Sequence, residues 1–216
     1  MNEQIRRQEI YWDSAVGVFD AIYSHDEMSW NKFLDSVFRW DMYERYKFTL
    51  RKAEPIENRT FLDVGCGTGR YSIELARRRA RRIVGIDIAQ NMIAVCQQRA
   101  EAEGVKERTS FLKTDLFGLE SNETYDVCIG IGLFDYVQDA HSLLRKMRER
   151  ANHSVIMSFP QLWSWRALAR KIRLSLKGCD VYFYTRRDVE ELVRGAGFKE
   201  HEVEKIGQLF CVVAYV

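Results

Sequence analysis

A glycine-rich turn between a strand and a helix most constrains how this chain can fold. Residues 60–64 form a short run rich in apolar and β-branched side chains, and residues 71–79 have the apolar spacing of a helix. Between them lie Gly65, Gly67 and Gly69. Because glycine has no Cβ, such a turn lets backbone N–H groups and a helix N-terminus approach a ligand. The pattern predicts a ligand-binding βα turn, and a turn that only packs helix on strand is the alternative.

The glycine spacing separates two classes of nucleotide-binding turn. A dinucleotide-binding fingerprint reads G-x-G-x-x-G, whereas here Arg70 stands at its third glycine position and the glycine comes one residue earlier. The run D-V-G-C-G-T-G instead resembles motif I of the class I S-adenosylmethionine (SAM)-dependent methyltransferases. That resemblance implies a site for SAM and its product S-adenosylhomocysteine, with these residues in the cofactor site: Asp63, Gly65, Cys66, Gly67 and Gly69.

The same resemblance implies an α/β fold of the Rossmann-like class I type. Its sheet would have seven mostly parallel strands closed by an antiparallel hairpin, with helices on both faces. Residues 199–206 and 208–216 look like that hairpin, and Thr185 followed by Asp188 predicts a capping box at the helix before it. Pro160 is expected to stop the fifth strand at residue 159.

Acids follow the second and third predicted strands. Asp87 ends residues 82–87, where an acid can accept hydrogen bonds from both ribose hydroxyls of a nucleotide; an N-cap for the next helix is the alternative. The surrounding stretch resembles motif II of the family, which implies that Ile88 and Met92 flank adenine. Asp115 and Leu116 resemble the adenine-contacting position after the third strand, and the alternative for Asp115 is a turn residue.

The fourth predicted strand, residues 125–130, leads into a segment that resembles the motif IV region lining the transfer site. The resemblance implies that Gly130 lies near the methionine end of SAM. The segment has no N-P-P-Y or D-P-P-Y run, which argues against methylation of exocyclic amines of DNA or of glutamine. A general base is needed only if the acceptor must lose a proton, and the candidates are His25, Asp135, Tyr136 and Tyr184.

Two segments flank the predicted cofactor site. Residues 1–54 are rich in aromatics with helical spacing and predict an N-terminal helical cover on a SAM-binding domain of residues 55–216, with Tyr11 over the cofactor. Packing against the domain is the alternative for these aromatics. Residues 161–184 interrupt the strand–helix alternation, and residues 162–177 combine an apolar face with a basic stripe. They predict a lid or packing helix, with peripheral membrane contact as the alternative.

Composition argues against several other classes. The net charge of +2 is small for 216 residues, which gives no support for a nucleic-acid partner. The five cysteines are scattered without a C-x-x-C pair, as expected for thiols in a reducing cytosol. No apolar stretch approaches the length of a membrane span, no secretory signal is visible, and no metal-ligand spacing is apparent. We therefore expect a cytoplasmic protein without a metal site.

The sequence predicts a SAM-dependent methyltransferase acting on a small-molecule acceptor, with an O, N or C nucleophile left open. The opening Y-W-D…F-D-A-I-Y, together with the motifs above, resembles the magnesium-protoporphyrin O-methyltransferases, whose acceptor is a propionate carboxylate. Two alternatives remain. One is an NAD-dependent oxidoreductase, which the glycine spacing and the closing hairpin disfavour, and the other is a non-catalytic SAM-binding protein.

Overall fold

The computed structural model describes residues 6–14, 32–162 and 180–216. Residues 6–14 are helical and are here called α1. The other helices are α2 (Lys32–Ala53), α3 (Arg70–Arg77), α4 (Gln90–Ala102), α5 (Ala140–Arg150) and α6 (Arg186–Gly195). The strands are β1 (Thr60–Val64), β2 (Arg82–Asp87), β3 (Thr109–Lys113), β4 (Tyr125–Gly130), β5 (Ala151–Pro160), β6 (Glu200–Ile206) and β7 (Leu209–Tyr215).

The strands form one seven-stranded sheet in the order β3-β2-β1-β4-β5-β7-β6. Strands β1 to β5 pair in parallel, and β7 runs antiparallel to both β5 and β6. The chain reverses direction across the sheet between β1 and β4, the kind of switch point at which open α/β sheets bind ligands. The predicted fold class is confirmed, including the closing antiparallel hairpin.

Each face of the sheet carries its own apolar core, because alternate strand residues point to opposite sides. On β1, Phe61 belongs to the core shared with α2, α3 and α4, whereas Leu62 and Val64 belong to the core shared with α5 and α6. The strands in the middle of the sheet are therefore covered on both faces, which is why they read as nearly continuous apolar runs. This burial fixes the carboxyl ends of β1, β2, β3 and β4 at one edge of the sheet.

Helix α2 is a single 22-residue helix at the end of the predicted N-terminal cover. Its last two turns bury Phe48 and Leu50 against the sheet, and its basic C-terminal residues reach the edge strand β6. There Arg51 pairs with Glu204 at 2.9 Å and Lys52 pairs with Glu202 at 2.6 Å. Among the helices that the model describes, none combines the length and the apolar character needed to cross a bilayer.

The expected end of the fifth strand was wrong by one residue. Pro160 is the last residue of β5 and pairs with Leu209 of β7, although proline has no N–H to donate. The pairing of β5 with β4 ends earlier, at Met157. No ladder donor toward β4 is therefore required at Pro160, and its carbonyl accepts a hydrogen bond from the Tyr184 N–H at 2.9 Å.

The capping box predicted before α6 is present and gives a test of the fold. The Thr185 hydroxyl accepts from the Asp188 N–H at 3.2 Å, and the Asp188 carboxylate accepts from the Thr185 N–H at 2.7 Å. Replacing Thr185 with Ala should lower the free energy of unfolding by about 1 kcal/mol, since it removes the cap from one orphan N–H. Urea denaturation measures this, with Thr185→Ser as the control that keeps the hydroxyl. Equal losses in both variants would contradict a capping role.

Candidate active site

The glycine turn lies at the carboxyl edge of the sheet, between β1 and α3. The N–H groups of Gly65 and Cys66 both donate to the Ile86 carbonyl, at 2.9 and 3.0 Å, which ties the turn to β2. The turn glycines at 65, 67 and 69 have φ values of 70°, 53° and 80°, in the left-handed region that side chains with a Cβ seldom adopt. Helix α3 begins from this turn with no side-chain cap of its own. Its N-terminus therefore faces the edge where a ligand would lie.

Asp87 joins the glycine turn to the start of α4. One oxygen of its carboxylate accepts from the Gly67 N–H at 2.9 Å, and the other accepts from the Ala89 N–H at 2.9 Å. Burial raises the pKa of Asp87, while these hydrogen bonds act in the opposite direction. A carboxylate has about four lone-pair positions, so two acceptor positions remain for a ligand. The sequence analysis gave helix capping as the alternative role of Asp87. The hydrogen bond from the Ala89 N–H is of that kind, and it still leaves acceptor positions for a ligand.

Asp63 lies beneath the turn at the end of β1 and is only 2% exposed. The Ser72 hydroxyl, in the first turn of α3, donates to its carboxylate at 2.6 Å. Burial raises the pKa of Asp63 to about 7, against the lowering effect of the Ser72 hydrogen bond, and the nearby Asp87 charge adds to the rise. Two acids at neighbouring strand ends therefore share a poorly solvated region that favours a cation.

Cys66 and Cys96 lie together behind the turn, with their sulfur atoms 4.0 Å apart. The Cys96 thiol donates to the Gly67 carbonyl at 3.0 Å. The hydrogen bond with Cys96 and burial raise the pKa of Cys66. Both residues are buried, so they act here as packed thiols that support the turn rather than as nucleophiles.

The residues predicted to contact adenine lie around the ends of β2 and β3. Ile88 is half-buried, while Met92 and Leu116 are buried. One Asp115 carboxylate oxygen accepts from the Gly118 N–H at 2.7 Å, which is the turn role that the sequence left as an alternative. The same carboxylate is half-buried and has a second oxygen. The structure thus brings these four residues to one edge of the sheet, next to Asp87.

The segment after β4 supplies the opposite wall. Gly130 is the last residue of β4, and a Cβ there would lie 2.9 Å from the Met147 side chain, so packing against α5 also explains this glycine. Two residues on, the Gly132 N–H donates to the Ser158 hydroxyl at 2.9 Å, which fixes the segment to β5. Leu133 then packs beside Gly65, where an added Cβ would meet it at 3.0 Å. The β4 loop and the glycine turn are therefore in direct contact.

The candidate bases differ in their surroundings. Asp135 is buried at 5% exposure, and its carbonyl accepts from the Tyr182 N–H at 2.8 Å. The Tyr184 hydroxyl donates to the Phe134 carbonyl at 3.1 Å, and burial, followed by the Asp135 charge, raises its pKa. Tyr184 therefore stays protonated near neutral pH. His25 lies outside the described residues, as do residues 163–179 of the predicted insertion.

Helix α1 lies across this edge and carries residues that the sequence analysis did not assign to the site. Tyr11 contacts the Trp12 ring at 5.0 Å, and Trp12 meets the Tyr136 ring edge-on at 4.9 Å. Tyr11 and Tyr136 also pack with Phe183 around the buried Val181. We call these five residues the aromatic cluster: Tyr11, Trp12, Tyr136, Val181 and Phe183. Only Tyr11 and Tyr136 were foreseen, because the contacts join segments more than 100 residues apart.

Comparisons with known proteins agree with this geometry. Residues 61–153 match the family model described as a methyltransferase domain. A demethylmenaquinone methyltransferase of Porphyromonas gingivalis is 23% identical over 208 residues, 84% of each chain. A ubiquinone biosynthesis O-methyltransferase of Azorhizobium caulinodans is 33% identical over 108 residues, which are 50% of this chain and 42% of that one.

The family model, the named relatives and the fold together indicate a SAM-dependent methyltransferase of class I. A solved structure with the same fold is the magnesium protoporphyrin IX methyltransferase of Synechocystis PCC 6803 with bound SAH, at a TM-score of 0.80, 19% identity and 99% coverage of both chains. The cofactor is therefore SAM, the methyl donor, rather than the nicotinamide dinucleotide of an oxidoreductase. The chain spans 84% of the first relative above but less than half of the second.

The residues present fit SAM in the methyltransferase. SAM combines a ribose with two hydroxyl donors and a methionine part with cationic groups. The site offers carboxylate acceptors at Asp63, Asp87 and Asp115, together with backbone N–H groups at the turn. Asp87 would hold the ribose, the glycine turn would hold the methionine part, and the ends of β2 and β3 would hold the adenine.

The raised pKa of Asp63 predicts how the stability of the methyltransferase varies with pH. Between about pH 4 and pH 7 the unfolded chain has lost this proton while the folded chain keeps it. The Asp63 contribution to stability is therefore present below about pH 4 and is lost as pH rises through about 7, with a limiting slope of about 1.4 kcal/mol per pH unit. In urea denaturation from pH 4 to 8, Asp63→Asn should remove this component. If the free energies of unfolding of wild type and Asp63→Asn change with pH by the same amount, the prediction is contradicted.

Proposed function

We propose that this methyltransferase transfers the methyl group of SAM to a small-molecule acceptor with an extended apolar or planar part. The aromatic cluster is the observation that supports the proposal. It stands between α1, the β4 loop and the segment at residues 181–183, beside the proposed methionine end of the donor site. Aromatic rings offer large contact areas to flat or unsaturated ligands at low entropic cost. An acceptor seated there would lie next to the transfer position.

The names of similar proteins support the same class of acceptor. Relatives are named for methylation in menaquinone and ubiquinone biosynthesis, and a structure with the same fold is named for a magnesium protoporphyrin. Quinones and porphyrins share a conjugated ring. We extend to this chain only the shared feature, a ring-bearing small molecule. The nucleophilic atom is left as O, N or C.

The chain's own residues would act chiefly by positioning. SAM, when bound, supplies a methyl group on a sulfonium, which is already activated for transfer. Proximity and alignment can then provide much of the rate enhancement. The glycine turn and Asp87 would orient the donor, and the aromatic cluster would exclude water and hold the acceptor. The protonated Tyr184 is suited to holding the Phe134 carbonyl in place rather than to accepting a proton.

The acceptor proposal predicts a variant that separates acceptor use from donor binding. Phe183→Ala removes a ring from the aromatic cluster without touching the proposed donor contacts. It should raise the acceptor KM roughly tenfold, the range expected when about 1–3 kcal/mol of apolar contact is lost, with SAM affinity within about twofold. Radiolabelled methyl transfer from SAM to a panel of quinols, porphyrin carboxylates and alicyclic amines measures this, and calorimetry measures SAM binding.

Tyr215→Ala is the matched control for this prediction. Tyr215 is an exposed aromatic residue that pairs with Ser154 near the start of β5, at the opposite edge of the sheet. Its loss should change neither the acceptor KM nor the SAM affinity. Wild-type protein that binds SAM but labels none of the panel and no extractable small molecule from a cell extract would overturn the proposed acceptor class.

The donor site predicts an effect of Asp87 on SAM affinity. Asp87→Ala should weaken SAM binding by roughly 1–3 kcal/mol, because the ribose hydroxyls, one N–H of the glycine turn and one N–H at the start of α4 would lose a buried acceptor. Asp126→Ala is the control, since Asp126 also accepts a backbone N–H, from Thr60 at 2.7 Å, but at the opposite ends of β1 and β4. Calorimetry that gives both variants wild-type affinity would remove Asp87 from the donor site.

A further inference from the structure

Helix α1 is fastened to three separate elements at the carboxyl edge of the sheet. The Gln8 amide donates to the Tyr136 carbonyl at 2.6 Å, in the loop after β4. Glu9 pairs with Lys113 at 2.7 Å, at the end of β3. Asp13 contacts Asn91 at the start of α4. Because β2 and β1 lie between β3 and β4 in the sheet, these attachment points lie on both sides of the strand ends that carry Asp87 and the glycine turn.

Of the three contacts, the one between Asp13 and Asn91 is made at a helix N-terminus. The N-cap position of α4 is Ala89, which has no side chain able to cap, so the first turn of α4 lacks a cap of its own. The Asp13 carboxylate accepts from the Asn91 N–H at 2.9 Å, and the Asn91 side-chain amide donates to the Asp13 carbonyl at 3.0 Å. Asp13 therefore caps α4 from another helix. A negative charge at this end also complements the helix dipole.

The three attachments are unequal in strength. The Glu9–Lys113 pair is partly exposed, with the Lys113 side chain 43% accessible, and such ion pairs contribute little. The Gln8 bond is nearly buried but neutral. The Asp13 contact is exposed as well, but it consists of two hydrogen bonds, one of them to a helix N–H that α4 itself leaves without a cap. It is the attachment whose loss should loosen α1 most.

We propose that Asp13 is a positioning residue that latches α1 over the donor site by capping α4, so that SAM and its product exchange only when this cap is released. The proposal rests on the donor site assigned above, at Asp87 and the glycine turn. Asp87 immediately precedes α4 and already uses the Ala89 N–H, so the two acids share one helix end. Their proximity is also seen in the small contribution of the Asp13 charge to the raised pKa of Asp87, after that of burial.

If Asp13 only stabilised α4, its loss would leave the SAH dissociation rate unchanged, whereas the proposed latch predicts a faster rate. In the full-length chain, Asp13→Ala should speed SAH dissociation in stopped-flow displacement by roughly tenfold, the factor that corresponds to losing one typical cap contact. Asp13→Asn should restore dissociation to within about threefold of wild type, because asparagine caps almost as well as aspartate. Acceptor KM should rise as well, because α1 carries Tyr11 and Trp12 of the aromatic cluster.

Asp139→Ala is the matched control, because Asp139 is the N-cap of α5 and accepts from the Ser142 N–H at 2.9 Å. It should lower the denaturation midpoint much as Asp13→Ala does, while leaving the SAH dissociation rate unchanged. Equal SAH dissociation rates for wild type, Asp13→Ala and Asp139→Ala would overturn the latch and leave the donor site intact, provided that Asp87→Ala weakens binding. Wild-type protein that binds neither SAM nor SAH would overturn both proposals.

Discussion

The Asp87 carboxylate is the interaction on which the rest of the site depends. It accepts one N–H from the glycine turn and one from the start of α4, so a single side chain fixes the relative positions of two elements that leave neighbouring strands. Burial of β1 and β2 under helices on both faces makes the positions of their ends rigid. The turn is therefore held in place by a framework that does not depend on the ligand.

The charge arrangement at this edge bears on the donor site proposed above. Asp63 and Asp87 repel one another in a region with little water, and this repulsion is part of the reason that the pKa of Asp63 rises, after burial. A cationic sulfonium relieves such repulsion, whereas the neutral thioether left after transfer does so less. In the proposed donor site, the two acids at the strand ends would therefore favour the charged methyl donor over the product.

The sequence predicted the parts of the molecule that follow from local rules. The glycine turn, the acids after β1, β2 and β3, the capping box at Thr185 and the closing hairpin are short-range patterns with a fixed relation to strand ends. The extension of β5 to Pro160 was missed because it depends on where β4 stops pairing, which is a property of the sheet. Ser72 and Ser158 were missed because nothing local marks a serine that bonds a distant group.

The docking of α1 shows why the sequence could predict a helical cover with Tyr11 over the cofactor but not the contact made by Asp13. Its aromatic spacing indicates an amphipathic segment, yet Asp13 reads as an ordinary acid near a helix end. Its partner is identifiable only once Ala89 is seen to leave α4 uncapped, 76 residues away in the chain. Neither the uncapped start of α4 nor the acid at Asp13 indicates this contact when it is considered alone. Together they place a charged contact between the cover and the cofactor edge, so the proposed latch would make the closure of the site depend on a hydrogen bond that also caps α4.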